Sequence, residues 1–163
     1  VLGEKICADP SQLRDSILSI GATILQGTPA TFQLLTDVGG LAGELPENFK
    51  ILTAGDVLSQ NLADKLVDLA DGGLFHLYGP TEATIYSSLQ VIHVPGTPVR
   101  LGVPLKWVQL DVLQPGSTNL AVDRVTSGEG ELIISGECVA LGYWVNGGIS
   151  AQMTSRVDKW RSQ

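Results

Sequence analysis

The sequence predicts an α/β fold in its first half, a parallel sheet with packed helices, followed by a mostly antiparallel β subdomain. Two observations support this prediction. Short apolar runs alternate with helix-length segments up to residue 85, a spacing typical of parallel strands joined by helices. After that point no helical periodicity separates the alternating segments, which proline and glycine punctuate instead. We therefore expect an α/β part over residues 1–85, a β-rich subdomain over 86–145 and a divergent tail over 146–163.

Caps and breakers mark three helices in the first half. Asp9-Pro10 combines an N-cap residue with the residue preferred at the first helical position, and Gly21 ends the apolar stripe that follows. A second helix is expected over 30–38, and Ser59 begins the third, which Gly72-Gly73 closes. The strands predicted between the helices are Ala22–Gln26, Phe49–Thr53 and Leu74–Leu77.

The elements of the second half are predicted from alternation with a period of two residues. Residues 86–94 alternate loosely, Trp107 to Leu113 alternates regularly, and Glu131–Ser135 follows a glycine-rich turn. Because no helix is predicted between these segments, we expect them to pair antiparallel. Residues 146–163 carry little pattern, so no element is predicted there.

Composition and charge exclude several classes of protein. With 163 residues, of which 44% are hydrophobic and 17% charged, the chain can bury one ordinary core and is not of the disordered type. A net charge of −7 argues against nucleic-acid binding. No apolar stretch approaches the length of a membrane span, and no basic segment precedes an apolar one. We therefore expect a cytoplasmic protein with no membrane partner.

Cysteine and histidine usage gives no sign of a disulfide framework or a metal site. Cys7 and Cys138 lack the spacing of a metal-binding pair, so we expect free thiols in a reducing compartment. His76 and His93 are equally without metal-ligand spacing. The chain opens on Val1 rather than Met, and we expect it to be an interior segment of a longer protein or a trimmed product.

The segment Leu77-Tyr78-Gly79-Pro80-Thr81-Glu82 carries the most chemistry in the chain. It follows a predicted strand, and loops at the carboxyl ends of strands in open α/β sheets are where ligands bind. An aromatic ring for stacking, a hydroxyl for a phosphate oxygen and a carboxylate for Mg²⁺ are the groups that a nucleotide site needs. The alternative is a Gly-Pro turn that happens to be followed by Thr-Glu.

Several blocks of sequence occur in an order and at a spacing that resemble one known family. They are Gly27–Phe32, Ile51–Gly55, Leu77–Glu82, Leu101–Pro104, Gly130–Gly136 and Ala140–Trp144. Together they resemble the adenylation (AMP-binding) domains of nonribosomal peptide synthetases, within the adenylate-forming enzyme superfamily. The resemblance covers residues 10–145, and Pro80 favours the peptide-synthetase branch over acyl- and aryl-CoA ligases. It implies the middle portion of the larger adenylate-forming fold, with the rest of the adenylation domain as partner.

The resemblance implies a ligase of secondary metabolism that activates an amino acid, or a related carboxylic acid, with ATP. Members of the family form an acyl-adenylate, release pyrophosphate and pass the acyl group to the phosphopantetheine thiol of a carrier domain. By resemblance, Tyr78 packs against the adenine and Thr81 approaches the α-phosphate. Glu82 would bind Mg²⁺, so that Thr81 and Glu82 are the candidate catalytic residues and Glu82 is the candidate metal ligand.

The implied nucleotide site also includes Gly55, His76, Leu77 and Gly79. Gly55 would let the backbone approach the adenine, which a Cβ would obstruct. The family usually has Asn at the position of His76, where it bonds the adenine amino group. A histidine ring nitrogen can also accept that hydrogen bond, depending on the tautomer.

The acyl pocket implied by the resemblance is apolar. The family's pocket positions correspond here to Gly27, Leu52, Ala54, Leu77, Ile85 and Tyr86. Small members and the lack of any charge indicate room for a sizeable apolar or aromatic side chain, because pockets discriminate by volume and by unpaired polar groups. The family's aspartate that pairs with the substrate amine is not among these residues, so amino, keto and hydroxy acids all stay open.

Several features of the family are absent from these 163 residues. The sequence lacks the phosphate loop with its lysine, the Tyr-Arg-Thr-Gly-Asp block and the C-terminal domain with the catalytic lysine, and Leu141 stands where the family generally has Arg. We therefore expect the isolated chain to be inactive, because electrostatic stabilisation of the transferring group supplies much of the rate. Two alternatives stay open, an acyl- or aryl-CoA ligase fragment and a catalytically inactive remnant with at most weak nucleotide binding.

Overall fold

The computed structural model describes residues 9–39, 45–116, 124–125, 129–149 and 156–160. The chain divides into two compact units, each built from two stretches of sequence. The first unit comprises Val1–Leu77 and Gln90–Leu101, and the second comprises Tyr78–Leu89 and Gly102–Gln163. These bounds differ from the expected boundaries at residues 85 and 145, so the domain organisation derived from the sequence stays a prediction. Val1 and Cys7 lie outside the described residues.

The helices of the first unit begin where their caps predict. They are α1 (Pro10–Ser19), α2 (Pro29–Asp37) and α3 (Gln60–Leu69). The Asp9 carboxylate accepts from the first turn of α1, the Thr28 hydroxyl from that of α2 and the Ser59 hydroxyl from that of α3. Each cap satisfies backbone N–H groups that have no partner within the helix.

The parallel sheet predicted for the first half is confirmed. Strands β1 (Ile24–Gly27), β2 (Lys50–Thr53) and β3 (Leu74–Tyr78) run parallel, and β4 (Ser88–Ile92) is the next strand in the order. Gly27 pairs in register with Thr53, and Thr53 with His76. The three residues therefore form one row across the sheet.

One hydrophobic cluster forms the core of the first unit. All three helices and the strands β2, β3 and β4 contribute to it, through buried residues that include Ile17, Phe32, Leu35, Ile51, Leu66, Leu74 and Ile92. Ile51 and Leu74 pair in register and are both fully buried, so the face of the sheet that carries these two side chains packs against this core. The helices therefore cover one face of the sheet, as the alternation of strands and helices predicts.

The second unit is antiparallel, as predicted. The beginning of β4 pairs antiparallel with β5 (Val103–Pro104). The further strands are β6 (Val108–Leu113), β7 (Arg124–Val125), β8 (Gly130–Gly136), β9 (Trp144–Val145), β10 (Gly148–Ile149) and β11 (Arg156–Trp160). One sheet has the order β11-β8-β6-β7, in which the pairs are antiparallel, and β9 and β10 form a separate antiparallel pair.

Several details depart from the sequence-based expectation. A short 3-10 turn spans Thr81–Ala83, where no helix is predicted. The strand expected to begin at Trp107 begins one residue later, because Trp107 has a φ of 72° that is incompatible with an extended strand. Residues 146–163 contain β10 and β11, although the sequence shows little pattern there.

Candidate functional site

The backbone that follows β3 is fixed by one short hydrogen bond. The Ser87 amide donates to the Tyr78 carbonyl oxygen at 2.6 Å, which brings the chain back against Gly79. A Cβ at Gly79 would lie 2.5 Å from the Ile85 carbonyl oxygen and 2.7 Å from the Ser87 nitrogen. Packing therefore requires glycine at this position, a reason that the sequence did not reveal.

Thr81 and Glu82 are presented by the 3-10 turn. Ala83 is fully buried and anchors the turn, whereas Thr81 is exposed and Glu82 is partly exposed. The turn ends at Thr84, which has a φ of 55°, and Ile85 follows with a φ of 73°. Positive φ is unfavourable for β-branched residues, and such strain clusters at functional sites. The Thr81 hydroxyl and the Glu82 carboxylate are thus accessible to solvent. Contacts with the surrounding residues must hold the strained backbone of the turn in place.

A second segment of the chain holds Glu82 at both its main chain and its side chain. The Ala140 amide donates to the Glu82 carbonyl oxygen at 2.7 Å, and the Tyr143 hydroxyl donates to Glu82 Oε1 at 2.5 Å. The Thr84 hydroxyl donates to the Cys138 carbonyl oxygen at 2.6 Å. The family resemblance includes the block Ala140–Trp144, which contains Tyr143, but implies no role for this residue.

The contact between Tyr143 and Glu82 shifts the pKa of both groups. Accepting the hydrogen bond from Tyr143 is the main reason that the pKa of Glu82 lies below its ordinary value. The same bond raises the pKa of Tyr143, because the phenol proton is held by the carboxylate. Glu82 is therefore a carboxylate and Tyr143 a neutral phenol at neutral pH. Burial also raises the pKa of Tyr78.

The residues around Glu82 fit a divalent cation that is bound together with phosphate. An ionised carboxylate is a hard oxygen ligand of the kind that Mg²⁺ prefers. No group of three or more His, Cys, Asp or Glu side chains that could hold a metal ion occurs within the part of the chain that the structure describes. In nucleotide sites Mg²⁺ is held by one or two carboxylates and by the phosphates themselves, so a single carboxylate such as that of Glu82 is compatible with such a site.

In the first unit, His76 is held in a single tautomer. The side chain is buried, and its Nδ1 lies 3.0 Å from the Arg100 carbonyl oxygen. A carbonyl can only accept, so Nδ1 carries the proton. Burial lowers the pKa of His76, which keeps the ring neutral at neutral pH. Nε2 is consequently unprotonated and is a hydrogen-bond acceptor.

The lowered pKa of His76 predicts how the stability of the chain depends on pH. The unfolded state takes up a proton near pH 6.5 while the folded state resists it, so stability falls as pH drops from that value towards the folded pKa. Replacing His76 with Gln should flatten this part of the profile, and urea midpoints measured between pH 5 and 8 check it. His93→Gln, the same substitution at an exposed histidine, is the matched control. Identical slopes for wild type and the His76 variant would contradict the prediction.

The two glycines Gly55 and Gly27, both implied in the site, differ in what the structure requires of them. Gly55 has a φ of 89°, and a Cβ there would meet only the Thr28 methyl group at 3.8 Å. Glycine is thus needed at Gly55 for its backbone conformation. A Cβ at Gly27 would lie 3.4 Å from Thr31 Cβ and from the Phe32 ring, in the first turn of α2. These distances are ordinary van der Waals contacts, so packing against this helix does not by itself require glycine at this position.

The remaining implied pocket residues differ in exposure. In the first unit, Ala54 and Leu77 are buried and Leu52 is partly buried, and the Ala54 amide donates to the Gly27 carbonyl oxygen at 3.3 Å. In the second unit, Ile85 is 65% exposed and Tyr86 is partly buried. The implied pocket residues are therefore all uncharged, but their exposure ranges from buried, as for Ala54 and Leu77, to largely exposed, as for Ile85.

No helix within the described ranges is long and apolar enough to cross a membrane. Cys138, the cysteine inside these ranges, is a free thiol of intermediate exposure. The expectation of a free thiol is therefore confirmed for Cys138, while Cys7 lies outside the described residues.

Comparison with known proteins gives concordant sequence matches. Residues 1–144 match the family described as AMP-binding enzyme. The chain is 34% identical over 151 residues to indigoidine synthase of Dickeya dadantii (strain 3937), covering 88% of this chain and 10% of that protein. It is 30% identical over 143 residues to an L-proline--[L-prolyl-carrier protein] ligase of Streptomyces coelicolor, covering 83% of this chain and 26% of that protein. The chain thus spans a small part of the relatives it matches.

Solved structures show the same fold. A four-domain nonribosomal peptide synthetase, holo-AB3403 bound to AMP and glycine, matches with a TM-score of 0.75 and 32% identity, over 90% of this chain and 10% of that one. An artificially fused adenylation–PCP di-domain from Klebsiella oxytoca, NpsA-ThdA, matches with a TM-score of 0.67 and 30% identity, over 83% of this chain and 25% of that one.

Proposed function

Because this chain belongs to the AMP-binding enzyme family, among the adenylation domains of nonribosomal peptide synthetases, we propose that it forms the centre of an amino-acid-activating ligase. The enzyme that contains it joins an amino acid to ATP as an acyl-adenylate and loads the acyl group onto a carrier domain. The observation that carries this proposal is the 3-10 turn, which carries the Thr81 hydroxyl and the ionised Glu82 carboxylate at successive positions.

The reaction has two steps. A carboxylate oxygen of the amino acid attacks the α-phosphorus of ATP, the bond to the β-phosphate oxygen breaks and pyrophosphate leaves. In the second step the acyl group would pass from the adenylate to the phosphopantetheine thiol of the carrier domain, with AMP released and the thiol proton lost to solvent. In the first step Thr81 donates a hydrogen bond to an α-phosphate oxygen, which favours the charge that develops there.

We propose that Glu82 holds the Mg²⁺ that accompanies ATP. When bound, this cation neutralises phosphate charge and polarises the phosphoryl oxygens. Glu82 supplies an ionised carboxylate, and the hydrogen bond from Tyr143 lowers its pKa further below the ordinary value.

We assign the adenine to Tyr78, Gly79, Gly55, His76 and Leu77. Tyr78 offers a half-buried aromatic ring for stacking. His76 Nε2 is an acceptor, and the adenine amino group is a donor, so the two are complementary. Guanine carries an acceptor oxygen at the equivalent position, which would face the lone pair of Nε2. The fixed tautomer of His76 therefore favours ATP over GTP.

We further propose an apolar amino acid as the substrate. The pocket residues assigned from the family positions are Gly27, Leu52, Ala54, Leu77, Ile85 and Tyr86, and none of them is charged. A basic or acidic side chain would lose its hydration there without gaining a partner. The similarity to carrier-loading synthetases disfavours the CoA-ligase alternative.

Amino-acid-dependent exchange of pyrophosphate with ATP tests the proposal. The enzyme that contains this chain should catalyse exchange with apolar amino acids above the rate seen with basic or acidic ones. The isolated 163-residue chain should show none, because its sequence lacks the phosphate loop and both lysines of the family. Lack of exchange by the whole enzyme with every amino acid would contradict the function, and exchange by the isolated chain would contradict its predicted inactivity.

A further inference from the structure

Within the second unit, residues 138–143 are hydrogen-bonded to the turn that carries Glu82. Three hydrogen bonds of 2.5 to 2.7 Å join the two segments, and each uses a different part of the turn. One binds the Glu82 main chain, one binds its carboxylate and one binds the Thr84 hydroxyl. The position of the turn relative to these residues is thus determined at three points.

The hydrogen bond from Tyr143 restricts the Glu82 side chain. A glutamate side chain has three rotatable bonds, and an exposed carboxylate samples many orientations. Here Oε1 accepts the phenol proton at 2.5 Å, while the Glu82 carbonyl oxygen is held by the Ala140 amide at 2.7 Å. With the main chain and one carboxylate oxygen fixed, the direction of Oε2 is fixed as well.

The burial of apolar surface does not explain why Tyr143 lies against Glu82. The Tyr143 side chain is 55% exposed, and its neighbours Leu141 and Trp144 are 83% and 73% exposed. Such exposed side chains contribute little hydrophobic stabilisation. The segment is therefore held to the turn by polar contacts, of which the bond between Tyr143 and Glu82 is one.

The strained residues after Glu82 give a second reason for these contacts. Thr84 and Ile85 both have positive φ, and such strained conformations persist only when contacts with the surrounding residues hold them in place. The Thr84 hydroxyl donates to the Cys138 carbonyl oxygen, and the Thr84 carbonyl oxygen accepts from the Tyr86 amide at 2.9 Å. Residues 138–143 thus keep the turn in the conformation that presents Glu82.

We propose that Tyr143 is a positioning residue, which fixes the Glu82 carboxylate for the divalent cation that binds with the nucleotide. This role rests on the proposed function, because it concerns the same metal ligand. Residues that orient a metal ligand by hydrogen bonding are commonly worth a factor of 10 to 100 in metal affinity. Tyr143 acts through Glu82 and has no role of its own towards the phosphate.

Binding of Mn²⁺ to the whole enzyme at saturating ATP tests this role, with free Mn²⁺ followed by its EPR signal. Tyr143→Phe removes only the hydroxyl and should weaken Mn²⁺ binding about tenfold or more. Glu82→Gln should weaken it too, and the double variant should bind no more weakly than Glu82→Gln alone. Trp144→Phe, a change at the neighbouring exposed aromatic residue, should bind Mn²⁺ as the wild type does.

A kinetic measurement separates positioning from a loss of folded enzyme. Pyrophosphate exchange by Tyr143→Phe should need about tenfold more Mg²⁺ for half its maximal rate, and high Mg²⁺ should restore that rate. A purely structural role would lower the maximal rate and leave unchanged the Mg²⁺ concentration that gives half of that rate. This result would overturn the inference.

The outcomes distinguish this inference from the function on which it rests. Wild-type Mn²⁺ affinity in Tyr143→Phe together with weakened binding in Glu82→Gln would overturn the role of Tyr143 and leave the function standing. Additive losses in the double variant would also overturn it, because Tyr143 would then act elsewhere. Unchanged Mn²⁺ binding in Glu82→Gln would remove the metal role of Glu82 itself.

Discussion

Replacing Glu82 with Gln should lower Mg²⁺-dependent pyrophosphate exchange by about 10² to 10³, the size typical of removing one group that stabilises charge in a transition state. The amide is neutral, so it binds Mg²⁺ poorly. Its carbonyl oxygen can still accept the hydrogen bond that Tyr143 donates to Glu82, so the turn should keep its shape. Exchange rates measured over a range of Mg²⁺ concentrations check this expectation.

The matched control for this variant is Glu137→Gln. Glu137 is an exposed carboxylate in the same unit, and neutralising it changes the net charge by the same amount. Exchange should stay at the wild-type rate in this control. Wild-type exchange in Glu82→Gln would exclude Glu82 from the metal role, whereas equal losses in both variants would assign the effect to overall charge.

Gly79→Ala should destabilise the second unit by about 2 kcal/mol or more, in the range that overpacking costs. The added methyl would lie 2.5 Å from the Ile85 carbonyl oxygen, 2.7 Å from the Ser87 nitrogen and 2.8 Å from the Tyr86 Cα. These are all backbone atoms, which cannot move aside as the end of a side chain can. The hydrogen bond from the Ser87 amide to the Tyr78 carbonyl must therefore lengthen or break. Equilibrium unfolding in urea gives the change in the free energy of unfolding.

Gly148→Ala is the control for Gly79→Ala. Gly148 also lies in the second unit, and no atom lies within 4 Å of a Cβ built on it. This variant should unfold at nearly the wild-type urea concentration. Equal stability of the two variants would contradict the packing role of Gly79.

Local signals in the sequence were sufficient for most of the elements. Asp9, Thr28 and Ser59 cap the three helices of the first unit, and a cap needs only residues within one turn of itself. Alternation with a period of two residues predicted β6, and β8 was predicted from the glycine-rich turn before it. Both kinds of signal depend on neighbours in the chain, which is why they could be read without a structure.

The pair β9 and β10 was missed although a local signal was present. Asn146 and Gly147 have φ values of 49° and 84°, the left-handed conformations of a two-residue hairpin turn. Asn-Gly is the dipeptide that favours this turn, so the hairpin could have been predicted. Strand β11 offered no comparable signal, because its pairing with β8 is a long-range contact.

The sequence by itself determined the order of strands and helices in the α/β half, the turn residues Thr81 and Glu82 and the family that they indicate. It did so because caps, periodicity and motif blocks are local properties of the chain. Only the tertiary structure decided the tautomer of His76, through the Arg100 carbonyl, and the partner of Glu82, through Tyr143. Both contacts join residues that lie 24 and 61 positions apart, and no local pattern encodes such a pairing.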